Sequence, residues 1–418
     1  HECRGGVGEN GYAAGFVGKF HVGPSLSDPN FRRKYGLHDV QKNAPFTEGL
    51  NRQQFENEKQ FRRAVRDYGF TWAKNIYWDN TKAPFQSHNP EWTTAAAVEF
   101  IEEHKAQPFY LHYCTTLLHG SNGAWHKSLS RPKVTGEGII RENLDALPAR
   151  ASVMERIEKA GLSSNEAGYL WMDDSLGVLL DKVDELNLSD NTVVLFIADH
   201  GSGNKGSLYK AKGTEVPCIM RWPKGMKAGI RNDELIQNTD FVPTWLELAQ
   251  AALPAAYRVD GVSLKPLFRK PNSPVRKYVY SEIGAARSIK TRDYSYITLR
   301  YTKDQVSGVR DNSRRHMKSM TGLGGGVSRS IVTHPHAYSD DQLYDLKADP
   351  GAQKNLASRQ RHSDTLKRMQ ELLAGELGKF SRRPYGEILA GGNSIAGGSY
   401  ADVFETLRKA ASDKKKKK

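Results

Sequence analysis

Unbroken apolar runs alternate along this chain with stretches whose apolar positions recur at helical spacing. Val193 to Ile197 is a β-branched apolar run too uniform to have a wet face, which predicts a buried strand. It ends in Asp199-His200-Gly201, and a Gly-rich loop containing Lys205 follows at once. Glu91 to Glu103 is helix-like, and Pro108 to Thr116 is the strand expected after it. Ser163 to Leu186 is the clearest helix: Ser163 or Ser164 serves as its N-cap, and Leu170, Leu176, Leu179, Leu180 and Val183 recur along one face. Val216 to Trp222 is a further strand, closed by Pro223, and Phe241 to Ala252 a helix. This alternation predicts an α/β sandwich with a largely parallel sheet. After about residue 270 the pattern changes to the short alternating strands Tyr278–Glu282 and Tyr294–Arg300, with a final helix over Ser363–Leu377. A smaller α+β domain with an antiparallel sheet is the expectation there. The division read from this pattern is residues 1–270, then 271–383, then a Gly-rich and Lys-rich tail over 384–418.

Composition narrows the class only partly. The 418 residues are 38% hydrophobic and 10% aromatic, enough for a large core, and no window is long and apolar enough to cross a bilayer. The opening residues lack Met, a basic segment and an apolar segment, so no signal peptide is visible and a fragment or processed chain is expected. The three cysteines, Cys3, Cys114 and Cys218, have neither metal-ligand nor disulfide spacing; Cys114 and Cys218 sit in apolar runs and are expected to be buried. Net charge is +14, five of it in the run Lys414 to Lys418. That balance suits an anionic substrate. Nucleic acid is disfavoured, because neither zinc-finger spacing nor an aromatic RNA-binding motif is present.

Three segments carry candidate chemistry. In Gly11 to Pro24, Lys19 and His21 share a face if the segment is extended, supplying a fixed cation and a proton-moving group. His119 follows the strand Pro108–Thr116, whereas His112 lies inside that strand and is expected to be a satisfied core residue. Asp199 and His200 stand at the carboxyl end of the 193–197 strand, where open α/β sheets bind ligands, and an anion held there by a metal can be met by Lys205. The competing reading of each is an ordinary strand with a polar turn.

Taken in order, these segments resemble the sulfatase family of the alkaline-phosphatase-like superfamily. The matching stretches are Gly11 to Gly23, Pro108 to His119, Ala198 to Gly201, Lys205 to Tyr209, Val216 to Pro223, and QLYDLKADPGAQKNLA (Gln342 to Ala357). GKFHVGP is most similar to heparan N-sulfatase-like members. The resemblance implies a three-layer sandwich with a smaller C-terminal domain, and hydrolysis of a sulfated glycan or aryl sulfate. Asp199 and His200 would be ligands of a divalent cation, normally Ca2+. Lys19 and Lys205 would hold sulfate oxygens, His21 would orient or deprotonate the nucleophile, and His119 would protonate the leaving oxygen. A periplasmic or secreted location is the family expectation.

Several departures matter. The C/S-x-P-x-R motif that yields the family's formylglycine is absent, as is the acidic pair that completes the metal site. Cys3, in CRGGV, lacks the Pro and Arg to replace it, and Asp173 and Asp174 are expected on a helix surface. The chain alone is therefore expected to be inactive. After Tyr209 stand Lys210, Ala211 and Lys212, cations that would favour polyanions. His200 suits zinc better than calcium, which keeps open a phosphate or phosphonate ester hydrolase on the same fold. A non-catalytic anion- or glycan-binding protein is the third reading. The arginines of the 310–336 loop, with His334 and His336, are expected to line a substrate cleft.

Overall fold

The computed structural model describes residues 11–119, 125–201, 207–253, 257–283, 286–300, 333–337 and 339–380. By its internal contacts the chain forms two units, residues 1–192 with 245–258, and residues 193–244 with 259–418.

The first unit runs β1 (Ala13–Phe20), α1 (Pro29–Tyr35), α2 (Glu48–Asp67), β2 (Trp72–Trp78), α3 (Pro90–His104), β3 (Phe109–Cys114) and α4 (Trp125–Leu129). A short hairpin follows, β4 (Val134–Thr135) with β5 (Gly138–Ile139), then α5 (Arg150–Lys159) and α6 (Ala167–Glu185). The sheet has the order β2-β1-β3 and both pairings are parallel. Alternation along β1 builds the layers. Phe16 and Phe20 pack with Phe61, Ala64 and Val65 of α2, while Val17 packs with Ala96 and Ala97 of α3. Gly15 lies on the α3 side because a Cβ there would meet the Phe100 ring at 2.5 Å. Helices on both faces of a parallel sheet make this the expected α/β sandwich.

The expected helix over Glu91–Glu103 is α3, capped by the Asn89 side chain, which accepts from the Trp92 N–H. The helix expected from Ser163 begins as a 3₁₀ turn in which the Ser163 hydroxyl accepts from the Asn165 N–H, and α6 continues it. Both α2 and β2 lie in a stretch that the apolar pattern left blank. His112 departs from expectation: it is exposed, with its Nδ1 2.9 Å from the Tyr110 hydroxyl and its ring stacked against Phe16. Its strand, β3, pairs with β1 and with no second strand among the described residues, so its outward side chains stay open.

The second unit contains β6 (Val194–Ile197), β7 (Cys218–Arg221), α8 (Lys265–Arg269), β8 (Val279–Ile283), β9 (Ala286–Lys290), β10 (Tyr294–Leu299), β11 (Asp341–Asp345) and α9 (Ser363–Leu377); the helix α7 (Phe241–Leu248) begins in it. The antiparallel sheet expected here is present, in the order β11-β10-β9-β8. One face carries Ile289, Tyr296 and Leu343 against Met369, Leu373 and Leu377 of α9. The strand expected to be buried at 193–197 is only half-buried, and Ile197 is exposed. It pairs antiparallel with β7 and has no other pairing among the described residues, so uniform apolarity did not bring two covered faces. Cys218, expected inside, is exposed on β7 for the same reason, and Cys114 is half-buried. No helix among the described residues is long and apolar enough to cross a membrane.

Candidate functional site

The first unit gathers its chemistry at the carboxyl end of the parallel sheet. There Gly18 of β1 pairs with Cys114 of β3, and Lys19 with Tyr77 of β2. Gly18 has φ +94, and a Cβ would fall 2.0 Å from the Cys114 carbonyl oxygen, so only glycine lets these strands run this close. Opposite it, β2 carries one extra residue, Asn75, in the left-handed region, with its amide donating to the Trp92 carbonyl at 2.5 Å. This bulge re-aims the strand ends just before the polar residues emerge.

Lys19 is the last half-buried position of β1, and the strand ends at Phe20. His21 therefore lies past the extended segment, and the shared face expected for the two residues stops one residue short. What holds His21 is a carboxylate from the neighbouring strand's end. Its Nε2 lies 2.8 Å from Asp79 Oδ1, and the Asp79 N–H donates to the Phe20 carbonyl at 2.9 Å. Asp79 sits at φ 54, a conformation aspartate tolerates better than most residues. Sequence reasoning missed it; the signal was a polar Asp-Asn following the aromatic run IYW.

His119 follows β3 and is half-buried, its N–H donating to the Thr116 carbonyl at 2.9 Å. Thr116 is fixed from beneath: its Oγ1 lies 2.9 Å from Nδ1 of His88, a fully buried histidine whose own N–H donates to the Ser128 hydroxyl at 3.0 Å. His88 had no periodic or motif signal in the sequence. Lys19, His21 and His119 thus come to the same end of one sheet.

Asp199 and His200 stand in the second unit, directly after β6. The Asp199 carboxylate accepts from the His200 N–H at 3.0 Å, and its other oxygen lies 3.4 Å from His200 Nε2. The aspartate side chain is 85% exposed, so these two groups meet as chain neighbours on the surface. No cluster of three or more His, Cys, Asp or Glu that could hold a metal occurs among the described residues. Calcium takes six to eight oxygens, and one carboxylate with one imidazole does not supply them. Lys205 and Cys3 lie outside the described residues, as do the arginines over 310–332. His334, expected along an open cleft, is instead buried, stacked on the Tyr209 ring. Lys210 lies 3.5 Å from Glu215, which meets its charge locally. Asp173 and Asp174 are on α6, where Asp174 binds Arg156 through two contacts of 2.6 and 2.8 Å.

Comparison with known proteins gives this arrangement its family. A sulfatase family model matches residues 7–251, and one described as N-sulphoglucosamine sulphohydrolase, C-terminal, matches residues 198–307. An arylsulfatase of Hemicentrotus pulcherrimus is 26% identical over 366 residues, which is 82% of this chain and 59% of that protein. An ulvan-active sulfatase of Formosa agariphila is 32% identical over 206 residues, 46% of this chain and 39% of that protein. The chain thus spans less than two thirds of the length of these relatives. Among solved structures, the sulfatase PsFucS1 from Pseudoalteromonas sp. aligns with a TM-score of 0.51 at 16% identity, covering 90% of this chain and 73% of that one. A Bacteroides thetaiotaomicron protein described with the metabolism of multiple glycosaminoglycans aligns with a TM-score of 0.54 at 18% identity, over 88% and 80%. These likenesses establish the alkaline-phosphatase-like α/β fold, and with a family model over more than half its length the chain belongs to the sulfatase family.

Proposed function

We propose that this chain belongs to a sulfuric ester hydrolase acting on a sulfated glycan or aryl sulfate. The observation that carries the reading is the arrival of Lys19, His21 and His119 at the carboxyl end of one parallel sheet. A sulfuryl group in transfer is anionic throughout, so a fixed cation at Lys19 stabilises it in ground and transition states alike. Stabilisation specific to the transition state comes from meeting charge as it develops on the leaving oxygen, the role assigned to His119 as proton donor. Asp79 holds His21 in one orientation, as a base or a hydrogen-bond partner for a nucleophile requires. The family relationship assigns Lys205, which lies outside the described residues, the role of a second sulfate-binding cation. Asp199 and His200 would contribute two ligands to a calcium site that needs further oxygens. A glycan substrate is supported by the ulvan-active relative and by an N-acetylglucosamine-6-O-sulfatase of Bacteroides thetaiotaomicron, 27% identical over 223 residues. The net charge of +14 favours a polyanion. The family relationship supports a periplasmic or secreted location.

The 418 residues contain no C/S-x-P-x-R motif, so the chain by itself is expected to bind sulfate esters without turning them over. Binding of an aryl sulfate and of a sulfated disaccharide, measured by titration calorimetry, should weaken roughly tenfold or more in Lys19→Ala and in His119→Ala. Equal or tighter binding of the matching phosphate ester would move the assignment to phosphate chemistry. Hydrolysis of an aryl sulfate by the unmodified chain, abolished by His119→Ala, would overturn the expected inactivity.

A further inference from the structure

The segment after Asp199 and His200 returns on itself. The Gly201 N–H donates to the Gly213 carbonyl at 3.1 Å, and the Ala198 N–H to the Pro217 carbonyl at 3.3 Å, so the two feet of the loop meet at its base. Inside the returning limb, the Thr214 N–H donates to the Tyr209 carbonyl at 3.0 Å. Tyr209 ties the described limb of this loop to another part of its unit. Its ring is buried and lies flat on His334, with centroids 3.6 Å apart and planes 9° from parallel. Its hydroxyl donates to Oε1 of Gln342 at 2.8 Å, across 133 residues of chain.

Gln342 is built to receive it. It is 1% exposed on β11, and its Nε2 donates to the Ser339 carbonyl at 3.1 Å, which fixes the amide oxygen toward the tyrosines. The Tyr344 hydroxyl donates to the same oxygen at 2.9 Å, so both lone pairs are engaged. The remaining space beside Tyr209 is a cavity of about 10 Å³ lined by Leu208, Ala286, Ile297 and Leu299. That volume is at the lower limit for a single water, so the ring is closely held.

We propose that Tyr209 and Gln342 are positioning residues. The C-terminal sheet, through Gln342, holds the described returning limb, residues 207–214, against the foot that carries Asp199 and His200. The functional consequence rests on the sulfatase reading; the anchor itself does not. Tyr344 provides the discriminating control, because its hydroxyl makes an equivalent hydrogen bond to the same oxygen from within β11, and Tyr344→Phe removes that bond while keeping the edge-on contact of its ring with Tyr209.

The test uses the full chain and residue-resolved hydrogen exchange, with inorganic sulfate as the binding probe. Tyr209→Phe should speed exchange of the Gly201 and Thr214 amides roughly tenfold, and Tyr344→Phe should leave both within about twofold. Affinity for sulfate should fall several-fold in the first variant and hold in the second. Equal acceleration in both variants, or none in Tyr209→Phe, would overturn the anchor. Selective acceleration in a chain whose wild type binds no sulfate would uphold the anchor and remove the sulfatase reading instead.

Discussion

Strands β1 and β6 both end an apolar run in a histidine-bearing segment, yet their surroundings differ. β1 lies between β2 and β3 with helices on both faces, whereas β6 pairs only with β7 among the described residues and leaves Ile197 exposed. The difference shows in the histidines. His21 is held by Asp79, a carboxylate brought from a neighbouring strand end, while His200 among the described residues meets only its chain neighbours, the Asp199 carboxylate and the Gly201 carbonyl. A strand inside a layered sheet converts neighbouring strand ends into one site; a strand paired on one side presents only what its own sequence carries.

The sharpest break of this comparison is at Gly18. Alanine there would need both a left-handed backbone and space now filled by the Cys114 carbonyl, so Gly18→Ala should destabilise the first unit by about 3 kcal/mol or more. Gly177, inside α6 with open space where a side-chain methyl would stand, is the opposite case, and Gly177→Ala should stabilise by roughly 0.5–1 kcal/mol. Urea unfolding followed separately by amide exchange in each unit measures both. A mild effect at Gly18 would mean that the close approach of β1 to β3 is not what organises the strand ends.

The two units should also answer pH in opposite directions. In the first, burial pushes the Glu58 carboxyl up to about 7 despite the Arg62 guanidinium 2.6 Å away and the Ile76 N–H at 2.9 Å, with Glu137 close by on the far side of Arg62. A carboxyl raised in the folded state contributes stability that is complete below its unfolded value near 4.5 and is lost as pH rises through about 7. In the second, burial drives the Lys290 amine down to about 7; its one described hydrogen bond goes to the Ser288 hydroxyl at 3.0 Å. A depressed lysine contributes stability that is present above 10.5 and lost as pH falls through about 7. Unit-resolved exchange should therefore show the first unit weakening from pH 5 to 8 and the second strengthening from pH 7 to 10. Glu58→Gln should flatten the first slope and Lys290→Met the second, each by an amount on the order of a few kcal/mol across its window. Parallel slopes in the two units would contradict these assignments.

How much of this was legible in the sequence depended on which signal a residue carried. α3, α6 and α9 were readable because each has a strong apolar period, a cap, or both. By contrast α2, EGLNRQQFENEKQFRRAVRD, is strongly polar, and its buried face mixes Gln54, Asn57 and Glu58 with Phe61, Ala64 and Val65, so its apolar stripe is confined to the last turns and was passed over. β2, WAKNIYW, contains Lys74 and the bulge residue Asn75, which break the alternation of a strand. Lys19, His21, His119, Asp199 and His200 stood out through position at strand ends and family motifs. Asp79 and His88 did not, because each acts through a partner far away in sequence, and Gln342 opened a matched stretch with no sign of its distant partner Tyr209. Burial of β6 was misjudged for a related reason: apolarity states what a strand prefers, and pairing decides what it receives.

The smallest expected effect separates the two carboxylate–histidine pairs directly. Asp79 is 28% exposed and meets His21 across strands at 2.8 Å, while Asp199 is 85% exposed and meets its neighbour at 3.4 Å. Half-exposed pairs of the first kind are worth about 0.5–1 kcal/mol, and most of that follows from holding two groups that the backbone has already placed. Asp79→Ala should therefore lower the stability of the first unit by that amount, with the loss disappearing when His21 is also replaced, as a double-mutant cycle with His21→Ala would read. Asp199→Ala should leave the second unit's unfolding midpoint where it was, with or without millimolar calcium, because its described partner is only the next residue. A calcium-dependent loss on removing Asp199 would show that the second region completes an ion site that its described residues do not contain, and would reverse the contrast drawn between the two strands.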